Sequence, residues 1–196
     1  MTVVSEASTA PRTTAAARNG AEALLQLFVA QGVDYLFFNP GTDTAPIIEA
    51  LVALARDGRP VPKLVQCLYE NVALAAAHAY FLVTRRPQVV LVHVDVGTQN
   101  LGGMLHNAQR GHAGVVIVAG RSPYTIADEG SPLGGRDRSI QWQQDEPDQT
   151  GIVRNYVKWS HELGRVDTLQ YLVPRAFQVA AAEPSGPVYM TIARGT

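Results

Sequence analysis

Four segments hold the side chains able to do chemistry, and each follows an apolar run. They are Asn39-Pro40-Gly41-Thr42, Tyr69-Glu70-Asn71, His93 to Asn100, and the stretch from Gly120 onward. Glu70 stands in the first turn of a helix that continues Val72, Ala73, Leu74, Ala75. A helix N-terminus favours the ionised carboxylate, whereas small apolar neighbours that exclude water raise its proton affinity. The position suits a proton-exchanging acid, and it equally suits a solvated helix-start glutamate. His93 closes the strongest apolar run with an imidazole able to move protons near neutrality, or with a hydrogen-bonded core histidine. Gly97 permits close approach of a ligand to backbone, yet neither GxGxxG nor GxxxxGK is present, which argues against a dinucleotide or P-loop site. No GxSxG elbow supports a serine nucleophile. His106 and His112 are not spaced i, i+4 and are not expected to bind metal.

The rest of the chain must position these groups. With 196 residues, 46% hydrophobic and 17% charged, the chain has enough apolar material for one large domain. A net charge of −1 gives no electrostatic footprint for nucleic acid or an anionic membrane. No apolar run reaches bilayer length, and the cytoplasm is the expected compartment. The single cysteine, Cys67, excludes an internal disulfide framework and is expected as a buried strand residue.

Residues 1–18, rich in Ala, Thr and Ser, read as a mobile tail, and 19–196 as the domain. Asn19 and Glu22 form a capping box before a helix that Gly32 stops. Strands are expected at 34–38, 64–67, 89–94, 114–119, 156–159 and 188–193. Helices are expected at 45–56, 69–84, 100–112 and 167–183, the last kinked or restarted by Pro174. The stretch 121–150, with three Gly and three Pro, reads as a long functional loop. Strands that are apolar throughout, alternating with helices, predict an α/β fold: an open parallel sheet with helices on both faces. In such sheets ligands bind outside the carboxyl ends of the strands, where all four segments fall.

Taken in order, the segments resemble the N-terminal pyrimidine-binding domain of thiamine-diphosphate-dependent enzymes of the acetolactate synthase and benzoylformate decarboxylase kind. Gly32-Val33 followed by Phe38-Asn39-Pro40-Gly41 resembles the family's GV…F-G-x-P-G opening. Tyr69-Glu70-Asn71-Val72-Ala73, continuing to Ala79-Tyr80, is similar to its H-E-x-x-A…A-x-G-Y helix. Gly97, Asn100 and Asn107-Ala108 match G-x-x-N…A, and Val116 to Gly120 matches a strand ending in T/A-G. Ile140 to Asp145 resembles F-Q-E-x-D, and Gly186-Pro187-Val188-Tyr189 the closing G-P-V-x strand. Tyr69 replaces the family histidine, and His93-Val94-Asp95-Val96 replaces the T-S-G-P that opens the acetolactate synthase stretch.

The resemblance implies that Glu70 and His93 are catalytic and that Pro40, Gly41, Glu70, Gly97 and Asn100 bind thiamine diphosphate at its pyrimidine end. Glu70 would exchange a proton with the aminopyrimidine ring, so that the thiazolium carbon loses its proton and attacks a 2-oxo acid. The chemistry is the cofactor's, and the protein supplies position and electrostatics. Thr42 and Gln143 would line the substrate pocket, with Gln144 in place of an acidic residue. Asn39-Pro40-Gly41-Thr42 and His93 lie closer to benzoylformate decarboxylase, which makes that lyase the alternative to an acetolactate synthase-like decarboxylation or carboligation. No Gly-Asp-Gly occurs in the sequence, so Mg²⁺ and the diphosphate are expected on a partner domain or subunit. The chain is then part of a longer polypeptide or of a split enzyme, inactive alone and at least dimeric. A non-catalytic assembly or regulatory subunit, and a stand-alone flavodoxin-like binding module, are the competing classes.

Overall fold

The computed structural model describes residues 16–126, 135–136 and 139–194. In chain order the elements are α1 (Gly20–Ala30), β1 (Tyr35–Phe38), α2 (Ala45–Arg56), β2 (Lys63–Gln66), α3 (Glu70–Thr84), β3 (Gln88–Val92), α4 (Val94–Gln99), α5 (Gly102–Arg110), β4 (Val115–Arg121), α6 (Ser139–Gln143), β5 (Trp159–Leu163), α7 (Leu169–Ala181) and β6 (Val188–Ala193). The strands form one six-stranded sheet in the order β2-β1-β3-β4-β6-β5. Every pairing is parallel. The expected open parallel sheet is present.

Alternate strand residues build two cores. Leu36, Phe38, Val89, Leu91, Val116, Val118, Val188 and Met190 face Leu24, Leu25, Phe28, Ile47, Leu54, Val173 and Phe177 of α1, α2 and α7. Phe37, Val90, Val92, Val115, Ile117 and Tyr189 face Leu74, Ala77, Phe81, Leu105 and Ala108 of α3 and α5. Burial on both faces explains why these strands are continuous apolar runs. Among the described residues, no helix is long and apolar enough to cross a membrane.

Several boundaries differ from the sequence expectation. Asn19 caps α1 by accepting from the Glu22 N–H at 2.9 Å, but the Glu22 carboxylate accepts from the Arg18 N–H and Nε, not from Asn19, so only half of the capping box forms. Arg18 also reaches Asp57 at 2.8 Å; residues 1–15 of the expected tail lie outside the described residues. β2 ends at Gln66, leaving Cys67 buried just beyond the strand. β3 ends at Val92, because His93 caps a new helix and Val94 takes φ 32°. A β-branched residue rarely accepts that region. The helix expected at 100–112 is the shorter α5, and a separate helix, α4, precedes it; the two are parted at Asn100 and Leu101, and Gly102 takes φ 26°. β5 lies at Trp159–Leu163, later than expected, because this edge strand is only partly buried and reads as polar. α7 runs through Pro174 without restarting. Within the expected long loop, α6 and a 3-10 turn at Gln149–Ile152 form.

One buried hydrogen-bond chain ties the sheet to the segments above it. The Gln149 amide donates to the Tyr189 hydroxyl at 2.9 Å and to the Gly120 carbonyl at 3.1 Å. Tyr189 bonds Thr98 Oγ1 at 2.7 Å, and Thr98 donates to the Val94 carbonyl at 2.7 Å. Burial pushes the Tyr189 hydroxyl up to about 12, keeping it protonated. Tyr189→Phe keeps the ring but strands the Gln149 donor and the Thr98 acceptor. The variant should lose about 1–3 kcal/mol of stability by urea denaturation, and an unchanged midpoint would show that the network contributes nothing.

Candidate active site

The strand order reverses about β1, with β2 on one side and β3 on the other. Loops leaving β1 and β3 therefore face each other across a crevice at the carboxyl edge, the usual ligand position in such sheets. The sequence-flagged residues fall into two groups there, joined by α4. His93 caps the start of that six-residue helix and Asn100 its end, about 10 Å apart along the axis.

The first group centres on Glu70. Its side chain is buried, with the residue 3% exposed, in the first turn of α3. The solvated helix-start reading is thereby excluded. Asn100 Nδ2 donates to Glu70 Oε2 at 3.1 Å. Oε1 faces the bare Cα of Gly97, where an added Cβ would lie 3.1 Å away. Gly97 is buried, and the room it leaves is what the carboxylate uses. The structure thus brings together Glu70, Gly97 and Asn100. Around them stand exposed apolar side chains: Leu68, Tyr69, Val72 and Val96.

The second group centres on His93. Its Nδ1 contacts Asp43 Oδ1, and its Nε2 lies 3.2 Å from Gln144 Nε2. The Asp43 hydrogen bond holds the His93 pKa above the ordinary histidine value against the opposing effect of burial, with the charges of Asp43, Asp95 and Glu70 adding to the rise. A small open cleft is lined by Thr42, Asp43, His93, Arg121, Gln141 and Gln144, among others. Thr42 is exposed at its mouth. Pro40 is exposed and Gly41 packs inward, where a Cβ would overlap His93 Nδ1. Thr44 closes this turn, accepting from the Gly41 N–H at 3.1 Å and donating to the Gly41 carbonyl at 2.7 Å.

Gln143, expected in the substrate pocket, is exposed and outside this lining; its neighbour Gln144 points inward instead, because α6 turns successive residues to different sides. Asp43 was not singled out from sequence, and its position inside an ordinary Gly-Thr-Asp-Thr turn gave no signal. Arg121 carries its charge against Glu162 and Asp145, and Arg136 reaches the same Asp145 at 2.6 Å. These pairs tie Arg136 and Asp145 to the end of β4 and to Glu162 of β5. No group of three or more His, Cys, Asp or Glu that could hold a metal occurs among the described residues.

The fold and this edge define an α/β domain that presents a buried acid and a histidine at the carboxyl end of a parallel sheet. Residues 18–152 match the family "Thiamine pyrophosphate enzyme, N-terminal TPP binding domain", and the chain belongs to that family. It is similar to an acetolactate synthase large subunit of Parasynechococcus marenigrum, 30% identical over 89% of this chain and 26% of that protein. It is also similar to the benzoylformate decarboxylase of Pseudomonas aeruginosa, 27% identical over 82% of this chain and 27% of that protein. Among solved structures, a thiamine diphosphate-dependent 4-hydroxybenzoylformate decarboxylase of Rhodococcus jostii superimposes with a TM-score of 0.72 at 25% identity, covering 89% of this chain and 30% of that one. The chain spans roughly a quarter of the length of the curated relatives it matches.

Cys67 begins the segment that carries Glu70, accepting no solvent and held by its N–H on the Phe38 carbonyl at 2.8 Å. Burial pushes its thiol up, and the thiolate is the reactive form. A disulfide reagent should modify Cys67 in the native chain at least about tenfold more slowly than in urea. Equal rates would show that the segment leading to Glu70 opens freely.

Proposed function

We propose that this chain is the cofactor-activating part of a thiamine-diphosphate enzyme acting on 2-oxo acids, by decarboxylation with or without carboligation. The observation that carries the reading is Glu70: a buried carboxylate at a helix start, with one oxygen fixed by Asn100 and the other left beside Gly97. A flat ring bearing a basic nitrogen fits this arrangement, because the bare Gly97 Cα lets it approach and Oε1 is free to exchange a proton with it. The cofactor, when bound, supplies the carbon nucleophile. Glu70 holds and returns a proton at Oε1. Gly97 and Asn100 shape its surroundings, and Pro40 and Gly41 set the opposite loop.

His93 and Thr42 stand on the substrate side, where an imidazole Nε2 and a hydroxyl face the cleft. That pairing favours a benzoylformate decarboxylase-like lyase as the second reading, with His93 serving as acid and base at Nε2. Gln143, exposed on α6, is left to face a neighbouring domain. The diphosphate and Mg²⁺ belong to a diphosphate-binding partner domain or subunit, in an assembly at least dimeric and in the cytoplasm. The exposed apolar rim of Leu68, Tyr69, Val72 and Val96 supports such a cover over Glu70.

The decisive experiment uses the chain assembled with its diphosphate-binding partner. Glu70→Gln keeps size and a hydrogen bond but cannot exchange the proton, so turnover should fall about 10²–10⁴-fold with the assembly unchanged by sedimentation. Equal turnover would remove the catalytic role and leave an assembly subunit. Comparing pyruvate with benzoylformate as substrate then separates the two readings, and the chain alone should show no saturable binding of thiamine diphosphate with Mg²⁺ by calorimetry.

A further inference from the structure

We infer that Asp43 is the positioning residue of His93: its carboxylate accepts a hydrogen bond from Nδ1–H and so turns Nε2 toward the cleft of Thr42 and Gln144. The inference concerns the ring's tautomer and orientation; its catalytic meaning rests on the proposed role of His93.

Four independent features converge on this pair. The Asp43 side chain is 5% exposed, and among the described residues no Lys or Arg pairs with it. A buried carboxylate without a cation is strongly disfavoured. Its hydrogen-bond partners are His93 Nδ1 through Oδ1 and the Val94 N–H, 3.4 Å from Oδ2. The imidazole is thus the one group in contact able to supply a positive charge. Next, two glycines make the room. A Cβ at Gly41 would overlap His93 Nδ1, and a Cβ at Gly120 would overlap Asp43 Oδ2. These glycines come from different strand ends, so the space around the pair is built by the fold and not by one turn. Third, Val94 is held at φ 32°, a strained conformation for valine, and its N–H is the one that Asp43 receives. Finally, the pair sits where the strand order reverses, with β1 and β3 adjacent.

The proton accounting is specific. Nδ1–H donates to the Asp43 carboxylate. In the neutral Nδ1–H ring Nε2 carries a lone pair that can accept from the Gln144 amide nitrogen 3.2 Å away. In the imidazolium Nε2–H becomes a donor, and the Gln144 amide must turn its oxygen inward or yield to an oxygen of bound 2-oxo acid. Nε2 therefore gives a proton to substrate oxygen and takes one back, while Nδ1–H never leaves the ring. Groups facing His93 act in the same sense: Asp95 on α4 and Glu70 on α3 favour the charged ring, and burial opposes it. Arg121 and Arg194 line the same cleft, but Arg121 is already matched by Glu162 and Asp145, and Arg194 is exposed. Because the folded value lies above the unfolded one, stability from the pair is complete below about 6.5 and fades as pH rises through the raised folded value.

The test is a nitrogen-15 and carbon-13 NMR titration of this chain, with His93 assigned by His93→Gln. At high pH the wild-type ring should be the Nδ1–H tautomer, and its midpoint should lie above that of an ordinary histidine. Asp43→Asn should lower the midpoint by about one pH unit or more, and Asp43→Glu should restore part of it. An Nε2–H tautomer at high pH in the wild type overturns the inference without any variant, as does an unchanged midpoint in folded Asp43→Asn. In the assembled enzyme, the Asp43→Asn pH–rate profile should move with that midpoint. Should His93→Gln keep full turnover while the titration behaves as expected, the catalytic reading of His93 fails and the pairing stands.

Discussion

Taking a carboxylate out of water at the start of a helix is tolerable only where other dipoles replace its hydration, and most of this edge follows from how that is done for Glu70. The positive end of α3 supplies part of the replacement. The Asn100 amide supplies a directed hydrogen bond, which requires the end of α4 to lie over the start of α3. That approach in turn requires a glycine at 97, since a larger residue would press both Glu70 and the Val92 side chain, 3.2 Å from an added Cβ. Asn100 and Gly97 are therefore consequences of burying Glu70. Their spacing of three residues is what places both on the side of α4 that meets α3.

What the sequence could disclose followed from which forces are local. The sheet was legible because its strands are buried on both faces, and runs such as Val89 to Val92 and Val115 to Ala119 leave little choice of element. Glu70 was legible as a candidate because a carboxylate directly after a strand and before an alanine-rich helix has few other uses. The start of α4 was not, since Val94 prolongs a β-branched run and its φ opposes its own preference; the surrounding contacts override it. Asp43 was hidden for a related reason. Its partner lies 50 residues away, and the glycine that makes room for it lies on β4. A turn of Gly, Thr, Asp and Thr looks like any other until the strands bring those positions together. β5 was misplaced because an edge strand with polar residues lacks the signal that marked its neighbours.

The described residues that follow β4 are likewise held by charge more than by apolar pattern. Arg121 and Arg136 share Asp145, Arg136 stacks over the Trp142 ring at 4.6 Å, and Ser122 donates to the Gln141 carbonyl at 2.8 Å. Such contacts fix the place of α6, and with it the direction of Gln144. Without them a five-residue helix has no means of holding its own position. The inward turn of Gln144 and the outward turn of Gln143 are thus set by the ion pairs of the adjoining Asp145.

The same reasoning applies with more force to α4, because both halves of the site depend on it. A helix of six residues cannot form on its own in water, where nucleation is unfavourable and several turns are needed to offset it. It must be held from outside, and the hold comes from beneath: Gln149 to Tyr189 to Thr98 to the Val94 carbonyl, a chain in which each donor has one acceptor. Thr98 lies one turn from Val94 and next to Gly97. Fixing it therefore sets the Val94 backbone against Asp43 at one end and the Gly97 Cα against Glu70 at the other. Gln149 adds its second amide hydrogen to the Gly120 carbonyl, the residue whose missing side chain admits Asp43. The hydroxyl of Tyr189, a residue with no exposure near the start of β6, is in this way coupled to the acid on α3 and to the histidine that caps α4 alike. The two groups, one at the start of α3 and one at the start of α4, are consequently positioned as a unit.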